Sequence, residues 1–139
     1  MVIKMVIGRN LTRQVLDLRS WQEISQLFLD EQQAVGEVSL VLVGDQRIRQ
    51  LNRQYRHKDK ITDVLSFAGD GTEQLGEVII DYQQIVRQAR RFNNSIWREL
   101  IFITTHGLLH LLGHNDETES GWKTMEKISQ RFIDQHKIC

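Results

Sequence analysis

Proline is absent from this chain, cysteine occurs once, and the charges cancel: 18 Lys and Arg stand against 18 Asp and Glu. The lone thiol, Cys139 at the last position, excludes an internal disulfide and is poorly placed to serve a metal ligated from residues 106 to 116. A net charge of zero gives no global attraction to nucleic acid, so any such affinity must come from local clusters. No apolar run approaches the roughly 18 residues of a membrane-spanning helix. The first seven residues, Met1 to Ile7, alternate like a strand and lack the apolar core and small-residue cleavage site of a signal peptide, so a cytoplasmic protein is expected.

What is present reads as one domain over 1–139, since 139 residues with 40% apolar content can bury one core but not two. Val2 to Ile7 is expected as a strand, and Leu18 to Gln33 as an amphipathic helix carrying Leu18, Trp21, Ile24, Leu27 and Phe28 on one face. Glu37 to Val43 reads as a buried strand, with Gly44-Asp45 supplying a turn and N-cap for a short helix through Tyr55. Asp63 to Ala68 and Leu75 to Asp81 read as strands joined by an antiparallel connection through Gly69-Asp70-Gly71. Helices follow over Tyr82 to Phe92, over Ile96 to Leu112 with Ser95 as N-cap and Gly113 at C′, and from Glu117 or Glu119 to His136. The expected class is α+β (mixed α/β), a layer of about four strands in a mixed sheet packed with about five helices, the helix ending at Leu112 central.

That central helix holds the most informative pair. His106 and His110 stand one turn apart on one face, and on a helix otherwise rich in Ile, Leu and Phe such imidazoles need a partner, either a metal or a shared hydrogen bond. A third ligand has two candidates. His114 would lie about 12 Å along the axis from His106 if the helix ran on, too far for bonds of about 2.0–2.1 Å to one ion. Gly113 permits a left-handed reversal, after which Asp116 has room to fold back over the metal, and two imidazoles with one carboxylate leave a position open for water. Asp116 also suits the role of cap for the last helix, as do Asn115 and Thr118. Basic residues cluster in two places: Arg47, Arg49, Arg53, Arg56, Lys58 and Lys60 against Asp59 alone, and Arg87, Arg90, Arg91 and Arg98.

The block from His106 to Gly113 (His-Gly-Leu-Leu-His-Leu-Leu-Gly) and the upstream block from Leu51 to Phe67, with Asn52, Tyr55-Arg56-His57-Lys58-Asp59 and Thr62-Asp63-Val64-Leu65-Ser66-Phe67, resemble the signatures of the YbeY family of rRNA maturation endoribonucleases. Leu75 to Ile80 and Glu99-Leu100 follow the same family order, so the resemblance covers nearly the whole chain. It implies a single-strand-specific, metal-dependent endoribonuclease acting in rRNA processing and ribosome quality control, with RNA and the small ribosomal subunit as partners. Metal ligation then falls to His106, His110 and Asp116, with Zn²⁺ the expected ion, although nickel, cobalt, iron and manganese suit the donors too. Arg56 and His110 are the catalytic candidates, Arg56 as the phosphate grip whose bland alternative is a solvated turn residue. Thr62, Asp63 and Ser66 are expected to support the site rather than react, and Phe67 to belong to the core. Four positions depart from the family pattern: Asp116 for histidine, Asn115 for aspartate, Ile61 for proline and Glu77 for aspartate. An anionic third ligand lowers the charge of the centre, which predicts a weaker Lewis acid and reduced activity. Two rivals remain. A metalloprotease needs a glutamate where Gly107 stands. The other is a non-catalytic ribosome or RNA-binding factor with a structural metal.

Overall fold

The computed structural model describes residues 6–71 and 73–139. Four strands, β1 (Val6–Asn10), β2 (Glu37–Val43), β3 (Val64–Ala68) and β4 (Gln74–Asp81), form one sheet in the order β1-β2-β4-β3. The pairs β1/β2 and β2/β4 are parallel while β3 and β4 form an antiparallel hairpin, so the sheet is mixed as expected. Five helices complete the described residues: α1 (Leu18–Glu31), α2 (Asp45–Arg56), α3 (Tyr82–Arg91), α4 (Ile96–Leu111) and α5 (Glu119–Gln135). The first strand extends past its expected end at Ile7 to Asn10, and Val2 to Met5 lie outside the described residues. None of the helices among the described residues is long and apolar enough to cross a membrane.

The alternation of side chains along each strand divides the interior in two. Val38, Leu40, Leu42, Val78 and Ile80 face the larger core, where Trp21 and Phe28 of α1, Leu100, Leu108 and Leu109 of α4 and Phe132 and Ile133 of α5 meet them. Val41, Val43, Leu65 and Ile79 face the other way and are covered by Ile48 and Leu51 of α2. One short helix is a narrow cover for a four-stranded sheet. The polar groups buried in the larger core are partnered where α4 crosses: Trp21 Nε1 donates to Thr104 Oγ1 (3.0 Å) and Thr105 Oγ1 bonds Ser129 Oγ (2.8 Å).

Local chemistry sets the helix ends. Ser95 Oγ accepts from the Arg98 amide, and Thr118 Oγ1 accepts from the Gly121 amide. Thr118 is therefore the N-cap of α5, which leaves Asp116 without that duty. At α2 the N-cap is Gly44, and Asp45 is the first helical residue instead. The end of α4 is a Schellman motif: the His114 amide donates to the Leu109 carbonyl (3.0 Å) and the Gly113 amide to the His110 carbonyl (3.1 Å). Gly113 adopts φ +96°, a conformation costly for any residue with a Cβ, and it turns the chain back along the helix it has just left.

Candidate metal centre

Helix α4 reaches the site because Gly107 lets it. A Cβ built there would meet Val78 Cγ1 at 2.7 Å, and Ser66 Oγ and Val64 Cγ2 at 3.2 Å, so the helix lies closer to β3 and β4 than any larger residue would allow. Ser66 Oγ donates to the Gly107 carbonyl (3.0 Å) and pins that contact. The approach brings His106 and His110, on the face beside Gly107, to the floor of a cleft of about 760 Å³.

The two imidazoles stack edge to face, centroids 4.9 Å apart, and both turn their Nε2 atoms to one oxygen. Asp116 Oδ2 lies 3.2 Å from His106 Nε2 and 3.1 Å from His110 Nε2. The candidate ligand atoms of all three residues lie within 4.8 Å of one another, and this is the one such cluster of acids, histidines and cysteines among the described residues. A tetrahedral ion with bonds of ~2.1 Å holds its ligands about 3.4 Å apart, so the donor set fits a zinc-sized divalent cation. His114 does not join it. The reversal at Gly113 places the carboxylate of Asp116, three residues further on, over the imidazoles instead.

Electrostatics keeps His106 and Asp116 in ligating form. Burial holds the His106 imidazole below its ordinary value, and the neighbouring His110 adds to the effect against the pull of Asp116. For Asp116 burial pushes the carboxyl up, but His110 and His106 outweigh it and the net direction is down. A neutral imidazole beside an ionised carboxylate is the protonation state a metal requires. Burial also pushes Asp63, on the cleft wall, upward, and the positive charge of a protonated His106 would oppose this.

Arg56 lies on the same cleft. Its Nη2 donates to the Ser66 carbonyl (2.6 Å) and its guanidinium sits over the Phe67 ring, 4.9 Å from the centroid, so its direction is fixed rather than that of a solvated turn. The loop behind it is tied down by buried Asn52, whose Nδ2 donates to the Lys60 carbonyl (2.9 Å). Lys58, Lys60 and Thr62 line the cleft as well. Two more basic residues of that run are spent differently: Arg49 (2.9 Å) and Arg53 (3.7 Å) pair with Asp59. In the second basic cluster Arg87 pairs with Asp45 (2.7 Å), and Arg98 pairs with Asp134 (3.5 Å). Phe67 is half-buried, packed against the smaller core rather than enclosed in it. Glu117, which lines the cleft beside Asp116, was not singled out by sequence, where it read only as a helix start.

Comparison with known proteins bears on the family and the fold. Residues 9–137 match the family model described as Endoribonuclease YbeY. A protein named Endoribonuclease YbeY from Carboxydothermus hydrogenoformans is 41% identical over 110 residues, 77% of each chain. Another of that name from Ureaplasma urealyticum is 53% identical over 100 residues, 69% of this chain and 64% of that one. A solution structure from Thermotoga maritima superposes with a TM-score of 0.65 at 25% identity, covering 94% of this chain and 92% of the other.

Proposed function

This chain belongs to the YbeY family of endoribonucleases, a family of hydrolytic nucleases, and from that membership we propose that it is a single-strand-specific, metal-dependent endoribonuclease working in rRNA processing and ribosome quality control. Residues 1–139 act as one hydrolase domain, and the small ribosomal subunit and its RNA, in the cytoplasm, are its partners. The observation that carries the reading is the convergence of His106, His110 and Asp116 in the cleft that also holds Arg56.

His106, His110 and Asp116 would hold one divalent metal ion, Zn²⁺ being the ion the two nitrogens and one oxygen suit best. When bound, such an ion supplies Lewis acidity, lowering the pKa of water and polarising a phosphoryl oxygen. The protein does the rest. Arg56, with one arm anchored on the Ser66 carbonyl, presents its remaining donors to a phosphate and stabilises the charge that grows on it in the transition state. Lys58 and Lys60 attract the neighbouring phosphates. Ser66 orients the reaction floor by holding the Gly107 carbonyl, and so fixes where His106 and His110 stand.

The test is cleavage of a structured rRNA fragment with single-stranded loops by purified protein, by protein stripped with chelator, and by stripped protein given Zn²⁺ or Mn²⁺. Cuts confined to single-stranded positions, lost on stripping and regained with metal, are expected. A second reading, an RNA-binding factor with a purely structural metal, draws on the aspartate that stands where the family has histidine; RNA binding with no metal-restored cleavage would favour it.

A further inference from the structure

The smaller core leaves a second groove on the sheet, of about 470 Å³, and none of the chemistry above uses it. Arg9 and Leu11 at the end of β1, Arg47 and Tyr55 of α2, and Phe67 and Glu77 on β3 and β4 line it. It exists because α2 covers only part of the face of the sheet that Val41, Val43, Leu65 and Ile79 form. Tyr55 is 54% exposed and packs edge to face on Phe67, centroids 5.4 Å apart. Two arginines, Arg9 and Arg47, are both exposed on its rim, against one acid, Glu77.

The groove and the metal cleft share no lining residue but approach each other at the edge of the sheet, where neighbouring residues of β3 line one or the other. β3 is an edge strand, and its consecutive side chains point to opposite faces: Ser66 lines the cleft and bonds α4, while Phe67 lines the groove. Arg56 bridges the two, lining the cleft while its guanidinium lies over Phe67. An exposed ring backed by a half-buried one, beside arginines near a phosphate-gripping cleft, matches what a single nucleic-acid strand needs: a π-face for a base and cations along the backbone.

We propose that the Tyr55/Phe67 groove is a second RNA subsite, in which the strand leaving the metal cleft passes over the edge of β3, stacks a base on Tyr55 with Phe67 behind it, and places flanking phosphates against Arg9 and Arg47. The inference rests on the endoribonuclease reading for the identity of its ligand, but binding tests it without cleavage. Single-stranded RNAs of about 4 and about 12 nucleotides, the first filling only the cleft, are titrated by fluorescence anisotropy into chelator-treated protein. The longer strand is expected to bind more tightly. Tyr55→Ala should weaken it by about 5- to 100-fold. The shorter strand should change less than about twofold. Arg9→Ala and Arg47→Ala should each weaken the longer strand and reduce its log-log salt slope by about 0.7. Arg131→Ala, on the exposed face of α5, controls for loss of one charge and should alter neither. Equal affinity of wild type and Tyr55→Ala for the longer strand overturns the proposal, as it would if the groove receives a protein segment; so does an equal loss for both lengths. Length-dependent binding in a protein that never cuts RNA would instead remove the nuclease reading and leave the groove standing.

Discussion

Two clusters of ionisable groups sit at helix ends in this molecule, and they have opposite fates. His106, His110 and Asp116 gather at the end of α4 on an open cleft, with both imidazole Nε2 atoms turned to one shared oxygen. Asp45, Asp81 and Arg87 gather where β2 and β4 run into α2 and α3. There Arg87 takes both Asp45 oxygens (3.0 and 2.7 Å), Gln83 Oε1 accepts from the Asp45 amide (2.8 Å), and Asp81, fully buried, caps α3 through the Gln83 amide (3.2 Å). Burial and the adjacent Asp45 push Asp81 up to about 8, so at neutral pH it keeps its proton while Asp45 carries the charge. In the second cluster Arg87 and Asp45 neutralise each other and Asp81 is sealed from solvent, its Oδ2 left without a hydrogen-bond partner. What distinguishes a site is donors that converge on one point beside open space, not the density of titratable groups.

The largest test of this contrast removes one member from each side. His110→Ala deletes a donor of the open cluster, and endoribonuclease activity should fall by about 10³-fold or more, the several kcal/mol that metal polarisation supplies. Arg87→Ala should leave the specific activity of folded protein near wild type in the same assay. Arg56→Ala comes next. It should lower kcat by about 10²–10³-fold while metal content, measured by mass spectrometry, stays unchanged, because Arg56 acts on the phosphate and not on the donors. Gly107→Ala tests the packing that sets the open cluster in place: the added methyl must displace Val78 or lift α4, costing about 1–3 kcal/mol in denaturant unfolding.

The closed cluster should show itself in the pH dependence of stability and not in activity. Between the ordinary carboxylate value and about 8, folded protein keeps a proton on Asp81 that unfolded chain releases, so stability falls as pH rises through that window and levels off above it. Asp81→Asn can still cap α3 and has no proton to lose. Thermal melts should therefore show it gaining on wild type from pH 5 to pH 8.5. A difference independent of pH would mean that Asp81 is ionised in the native state.

The contrast also marks what sequence can carry. The imidazole pair was legible because four-residue spacing on a helix is a local rule, and Asp116 because Gly113 announced a reversal whose hydrogen bonds the Schellman motif then supplied. The competing role for Asp116 as a cap fell only with the structure, where Thr118 takes it. Element order and most boundaries followed from periodicity, whereas the end of β1 was placed at Ile7 rather than Asn10 because Gly8, Arg9 and Asn10 carry no apolar signal yet pair with β2. The Asp45 and Asp81 pair is 36 residues apart in the chain and meets only through the parallel pairing of β2 with β4, which no local pattern encodes. Arg9 reaches Tyr55 and Phe67 for the same kind of reason: β1 must first pair with β2. Arg87 read as part of a basic patch, and only its partners reveal an internal ion pair.

Metal stoichiometry in freshly purified wild type, Asp116→Ala and His114→Ala bears most directly on the central claim, that the reversal at Gly113 closes a metal site with a carboxylate. One equivalent of divalent metal is expected in wild type and in His114→Ala, with a loss of bound metal in Asp116→Ala corresponding to at least about 100-fold weaker affinity. Full metal content in Asp116→Ala, or loss confined to His114→Ala, would contradict it.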